Sequence, residues 1–159
     1  MKNPDPSRPL KIVKIYTDGA CLGNPGPGGW CAILTYGRTE KELTGGEALT
    51  TNNRMELTAL IEALNALKEP CRVEFYSDSR YVVEAFNQRW IYQWERNSWL
   101  KADKKPVKNQ DLWADLLKFS RVHEITFHHI PGHSGHEYNE RCDNLAQQKA
   151  RTFSESQQS

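Results

Sequence analysis

The residues that most constrain this chain are Thr50-Thr51-Asn52-Asn53-Arg54-Met55-Glu56 and the helix they open, which the pattern carries to about residue 67. Counted from Glu56, Leu60, Ala63, Leu64 and Leu67 follow at offsets of four, seven, eight and eleven. That spacing sets them on one helical face with a carboxylate at its head. Such a carboxylate is costly to desolvate unless a cation or hydrogen-bond donors meet it. Taken alone, Glu56 reads as a first-turn acid favoured by the helix dipole, capped by Thr50, Thr51 or Asn52. Two further acids change that reading, because Asp18 and Asp78 each close an apolar β-type run.

Residues 1–10 hold Pro4, Pro6 and Pro9 and read as a flexible lead-in. Ile12, Val13, Ile15 and Tyr16 make a strand ending at Asp18, and a tight glycine–proline loop covers 19–29. Strands over 30–36 and 40–47 complete an antiparallel meander. The Glu56 helix crosses back and is ended by Glu69-Pro70. Strand four follows at 72–77, helices at 79–88 and 110–120, strand five at 124–130, and a last helix from about 138 to 150. Residues 152–159 read as a flexible tail. The glycine loop is not a nucleotide cradle. It lacks the Gly-Lys-Ser/Thr ending of a P-loop, does not complete G-x-G-x-x-G, and leads into a strand rather than a helix.

The order β-β-β-α-β-α-α-β-α predicts one α/β domain over 11–151. Its five-stranded mixed sheet has three antiparallel strands, then two parallel, with helices on both faces. A right-handed crossover puts strand four beside strand one, away from the meander. Asp18 and Asp78 then occupy neighbouring carboxyl ends at the point where the connectivity reverses, where open α/β sheets place their sites.

Adjacent strands lie about 4.8 Å apart, so these two carboxylates repel unless a cation neutralises them. Glu56 joins from the crossover helix. Asp143 offers a fourth ligand, at the edge of a helical stripe made by Tyr138, Cys142, Leu145 and Ala146. Oxygen ligands without organised soft ones favour magnesium or manganese over zinc. His129, His133 and His136 lack an H-E-x-x-H arrangement. Cys21, Cys31, Cys71 and Cys142 are scattered without a C-x-x-C pair and read as reduced thiols. With no signal-peptide pattern and no bilayer-length apolar run, the expectation is a cytoplasmic monomer with no membrane partner.

Tyr16-Thr17-Asp18-Gly19, Gly23-Asn24-Pro25-Gly26-Pro27-Gly28-Gly29, Thr51-Asn52-Asn53-Arg54-Met55-Glu56 and Ser77-Asp78-Ser79 stand in that order along the chain. Gly132-His133-Ser134-Gly135-His136 and Asn139-Glu140-Arg141-Cys142-Asp143 follow. Together they closely resemble bacterial type 1 ribonuclease H, over residues 13–150. The resemblance implies a ribonuclease H-like fold and endonucleolytic cleavage of the RNA strand of RNA–DNA hybrids, leaving 5′-phosphate and 3′-hydroxyl ends. It makes Asp18, Glu56, Asp78 and Asp143 the carboxylates that hold two magnesium ions, with manganese as a substitute. His133 matches the family's mobile histidine, which assists proton transfer or product release.

The same resemblance places Gly19, Cys21, Asn24 and Asn52 against the RNA strand, Asn53 at a base and Thr51 beside a DNA phosphate. Turn and cap chemistry alone also accounts for several of these, Asn24 above all. Residues 89–108 match the family's basic handle. Arg89, Arg96, Lys101, Lys104, Lys105 and Lys108 stand there against Glu95 and Asp103, in a chain whose net charge is only +1. Trp90, Trp94 and Trp99 are interleaved with them, a mixture that suits a nucleic-acid groove. Trp90 and Trp94 are four apart, a spacing that suits a helix core equally. Trp94-Glu95-Arg96-Asn97-Ser98 is less basic than the family's pattern, which implies hybrid binding that is weaker or more dependent on the Lys101–Lys108 flank; Arg80 and Leu49 also depart from it. Two rivals remain at this stage: a DNA nuclease of the same fold, and a hybrid-binding module without catalysis.

Overall fold

The computed structural model describes residues 9–132 and 136–158. Five strands form one sheet in the order β3-β2-β1-β4-β5. They are β1 (Lys11–Cys21), β2 (Gly26–Tyr36), β3 (Thr39–Thr50), β4 (Cys71–Ser77) and β5 (Glu124–His129). The first three are antiparallel, and β4 and β5 run parallel to β1. The crossover therefore lands where the handedness rule puts it. Helices α1 (Asn52–Asn65), α2 (Arg80–Asn87), α3 (Trp90–Arg96), α4 (Gln110–Ser120) and α5 (Glu137–Gln158) complete the chain.

Strand alternation divides the core in two. Val13, Ile15, Ala32 and Leu34 point to one face and pack with Leu57, Leu60, Ala63 and Leu64 of α1 and with Trp113, Leu116 and Leu117 of α4. Tyr16, Cys31 and Ile33 point to the other, against Cys142 and Ala146 of α5. Helices thus lie on both faces, as the element order requires.

Three expectations are corrected. The tight glycine–proline loop is shorter than 19–29, because β1 and β2 pair up to Cys21 and Gly28 and leave only a short turn, closed by Leu22 N donating to the Pro27 carbonyl at 2.7 Å. The glycines serve close approach rather than looseness. A Cβ on Gly19 would stand 2.6 Å from the Glu56 nitrogen, and one on Gly29 would collide with the Ala146 carbonyl of α5. Residues 89–108 contribute a helix of their own, α3, whose apolar anchor Ile91 is fully buried. The last helix does not end near residue 150 but continues to Gln158. Ala150 is buried, and the Phe153 ring lies over Gly46 of β3 so closely that a Cβ there would meet it at 2.8 Å, which gives the continuing turns an apolar contact.

Candidate active site

β1 carries Asp18 to the middle of the sheet, opposite Cys31 of β2, where it is 8% exposed. Its Oδ1 accepts from the following Gly19 nitrogen at 2.9 Å, which holds the carboxylate within β1, a strand that runs past the expected end at Asp18 to Cys21. Asp78 follows directly on β4, before Ser79, whose hydroxyl caps α2 by accepting from Val82 N at 3.4 Å. Glu56 arrives from α1 because Gly19 lets the helix come so near β1. Thr51 caps α1, its hydroxyl accepting from Arg54 N at 3.3 Å. A ligand oxygen from each of Asp18, Glu56 and Asp78 lies within 4.8 Å of the other two.

Asp143 comes from α5 on the opposite face, outside that trio, but close enough to raise the Asp18 carboxyl by its charge. Its Oδ1 accepts from Gln147 Nε2, one turn on, at 3.0 Å. The four carboxylates line a cleft of about 310 Å³ together with Gly19, Asn52, Ser79, Asn139 and Glu140. Sequence reasoning singled out neither Asn139 nor Glu140 as a site residue. The signal was present in helical spacing, since they precede Asp143 by four and three residues.

Electrostatics alone leaves this cluster uncompensated. Burial, followed by the charges of Asp78 and Asp143, pushes the Asp18 carboxyl up to about 7, against an opposing hydrogen bond with Glu56. Glu56 is likewise raised well above the ordinary carboxylate range, first by burial and then by the charge of Asp18. Its Oε2 is buried with no hydrogen-bond partner among the described residues, and a buried acceptor left alone is costly. A hard divalent cation answers both problems. The 4.8 Å spread of the trio is close to the separation of two oxygens across one small cation, about 4.2 Å. Soft ligands are turned elsewhere: the Cys142 thiol donates to the Tyr16 carbonyl at 3.4 Å. The donor set fits a hard divalent cation.

Of the expected substrate residues, Gly19 and Asn52 line the cleft. Asn24 Oδ1 accepts from Asn52 N at 3.0 Å, so the turn between β1 and β2 is tied to the first turn of α1. The Cys21 thiol is directed at the carbonyls of Gly26 and Thr50, at 3.4 Å each. Asn53 is exposed on the same first turn. The handle residues divide. Lys101, Lys104 and Lys105 are exposed on a tight reversal, closed by Lys101 N to the Lys105 carbonyl at 2.9 Å and Lys104 N to the Lys101 carbonyl at 2.8 Å. Trp90 is 40% exposed, but Trp94 and Trp99 pack partly buried against the core, with Trp94 5.5 Å from the Trp113 ring. His133 lies outside the described residues.

A five-stranded mixed sheet with a buried carboxylate cluster at its point of reversal defines an α/β protein built for divalent-metal chemistry. The chain belongs to the RNase H family, whose model matches residues 10–151. It is 59% identical over 136 residues to the ribonuclease H of Chlorobaculum parvum, covering 86% of this chain and 93% of that protein. It is 60% identical, again over 136 residues, to the ribonuclease H of Caldanaerobacter subterraneus subsp. tengcongensis, covering 86% and 89%. Among solved structures, LC9-RNase H1, a type 1 RNase H, superposes with a TM-score of 0.81 at 31% identity, covering 92% of this chain and 75% of that one. LC11-RNase H1 in complex with RNA/DNA hybrid superposes at 0.68 with 27% identity, covering 88% and 97%. Among the described residues no helix is long and apolar enough to cross a membrane.

Proposed function

We propose that this chain is an endonuclease that hydrolyses the RNA strand of RNA–DNA hybrids, leaving 5′-phosphate and 3′-hydroxyl ends. In this reading Asp18, Glu56, Asp78 and Asp143 hold two magnesium ions, which manganese can replace, and the protein works as a cytoplasmic monomer. The supporting observation is the convergence of three buried or half-buried carboxylates within 4.8 Å, in a cleft that Gly19, Asn52 and Asn139 also line. When bound, the cations supply activation of the attacking water and stabilisation of the leaving 3′ oxygen.

The chain's own groups do the rest. Asp18 and Glu56 are held rigid by the sheet and by the first turns of α1, so little reorganisation is needed when phosphate enters. Gly19, Cys21, Asn24 and Asn52 face the RNA strand, whose 2′-hydroxyls both donate and accept and so separate RNA from DNA. Thr51 and Asn53 meet the partner strand and a base. Trp90 supplies an exposed stacking face, Trp94 and Trp99, partly buried against the core, anchor the segment, and Lys101, Lys104 and Lys105 meet phosphates. His133 moves a proton at the leaving oxygen or speeds product release.

One assay tests the reading. Either strand of a hybrid is labelled and magnesium or manganese is added. Scission of the RNA strand alone, with 5′-phosphate ends, is the expected result; cutting of duplex DNA, or binding without scission, overturns it. Sedimentation of the free protein tests the monomer.

A further inference from the structure

Arg54 sits where a cation opposes its own helix. It is the third residue of α1, whose first turn contains no acid, and the positive pole of a helix N-terminus disfavours an arginine there. The guanidinium instead leaves α1 and reaches α4. Its Nη1 donates to Asp111 Oδ1 at 3.1 Å and to Asn109 Oδ1 at 3.2 Å, and its Nη2 donates to Asp111 Oδ2 at 2.9 Å. Asp111 lies in the first turn of α4, where an acid is favoured. The two helix N-termini are thereby drawn together by a two-pronged pair, which fixes angle as well as distance.

The network continues inward. Asn109 Nδ2 donates to the Tyr81 hydroxyl at 2.9 Å, and the buried Trp113 Nε1 donates to the same oxygen at 3.2 Å. Asn109 has a left-handed backbone, φ 62°, and stands where the lysine-bearing segment turns into α4. Its side chain makes no capping bond to α4. It is committed to Arg54 and Tyr81 instead. Arg54 therefore joins the helix end that carries Asn52, Asn53 and Glu56 to the base of the segment that carries Lys101, Lys104 and Lys105.

We propose that Arg54 is a positioning residue that fixes the spacing between the carboxylate cleft and the lysine-bearing segment, so that one hybrid duplex engages both surfaces at once. This rests on the reading of those lysines as phosphate contacts. Two surfaces held at a fixed separation present the second at high effective concentration once the first is occupied, and that advantage falls when the link loosens. Lysine cannot replace the arginine, because it lacks the planar fork.

The test measures kcat and KM for Arg54→Lys, Arg54→Ala and Asp111→Asn on two hybrids. One is short enough to fill only the cleft and the other extends to the lysines. The same substitutions are also placed in a Lys101→Gln/Lys104→Gln/Lys105→Gln background, and thermal melts establish that each variant is folded. The expected result is a KM raised about tenfold on the long hybrid with kcat unchanged, no effect on the short one, and no further loss once the lysines are gone. An equal penalty on both hybrids, or one that persists without the lysines, reduces Arg54 to a structural contact and overturns the proposal. If the lysine variant alone binds the long hybrid as tightly as the wild type, the phosphate reading fails, and the proposal fails with it. Arg54→Lys decides the matter should Arg54→Ala not fold.

Discussion

A carboxylate at the centre of an anionic cluster serves the reaction at the expense of the fold. Replacing Asp18 by asparagine removes one of the mutually repelling charges while keeping the shape of the side chain. The variant is expected to lose at least about a hundredfold in cleavage rate, the scale of one lost electrostatic contact to a transition state. Its metal-free melting temperature is expected to equal or exceed that of the wild type. Near-normal turnover in steady-state assays would remove Asp18 from the reaction. The pH dependence follows from the same residue. In the unfolded chain the Asp18 carboxyl titrates near 3.8 and in the fold at about 7, so between these values the folded state holds a proton that the unfolded state has released. Stability from this group is full below about 3.8 and is lost as pH rises through about 7. His123 works in the opposite direction. It is buried, its Nδ1 accepts from Cys71 N at 3.0 Å, and burial lowers its pKa below 6.5. The stability of its neutral form is present above that value and lost as pH falls. In metal-free melts between about pH 4 and pH 7, the stability of the wild type relative to Asp18→Asn should therefore decline with rising pH, and added magnesium should stabilise most at the alkaline end. Superimposed wild-type and Asp18→Asn profiles would contradict a buried charged cluster. At this scale Glu56 was legible, because a carboxylate heading an apolar stripe needs a partner. The Arg54–Asp111 pair was not, since 57 residues separate its members and no local pattern joins them.

Between residue and molecule, the elements show how hydrophobic period and steric space share the work. The apolar stripe of α1 and the alternation of β1 and β2 mark their buried faces in sequence, and the structure places those faces accordingly. The glycine run did not disclose its role, because composition reports freedom and the fold uses absence of bulk. Gly29 shows this best: the α5 backbone passes where its side chain would be, and an added Cβ would stand 2.6 Å from the Ala150 nitrogen. Gly29→Ala is expected to push α5 from β2 and cost about 1–3 kcal/mol, the range of overpacked cores, read as a lower denaturant midpoint at constant slope. An unchanged midpoint would mean that α5 yields freely. The extension of α5 was illegible for a related reason. The stretch from 151 to 158 is polar apart from Phe153, and only the glycine opposite it in β3 reveals that the ring has somewhere to lie.

For the whole molecule the question is how an anionic cleft attracts a polyanion. The chain carries a net charge of +1, so attraction depends on where charges sit rather than on their sum. The carboxylates are sunk in a cleft at one end of β1 and β4, whereas Lys101, Lys104 and Lys105 are exposed on a reversal between α3 and α4. In the proposed reading, cations held among the carboxylates cancel their repulsion locally, and the lysines supply the release of counterions that drives phosphate binding. Topology was legible from the element order, since a meander followed by a crossover has few solutions. The reach of the lysines was not, because it depends on left-handed residues at Ser98, Trp99 and Lys104 that no periodicity announces. Separating these two sources of affinity gives a quantitative expectation. Each lysine that meets a phosphate contributes about 0.7–0.9 to the slope of log K against log salt. Replacing all three by glutamine should shrink that slope by as much as about 2–3 when each makes one contact. Binding of a non-hydrolysed hybrid across a salt series, in calcium to prevent turnover, reads the slope directly. If the lysine variant keeps the wild-type slope, the exposed reversal is not part of the binding surface, and the duplex must be held by the asparagine-lined rim and the bound cations alone.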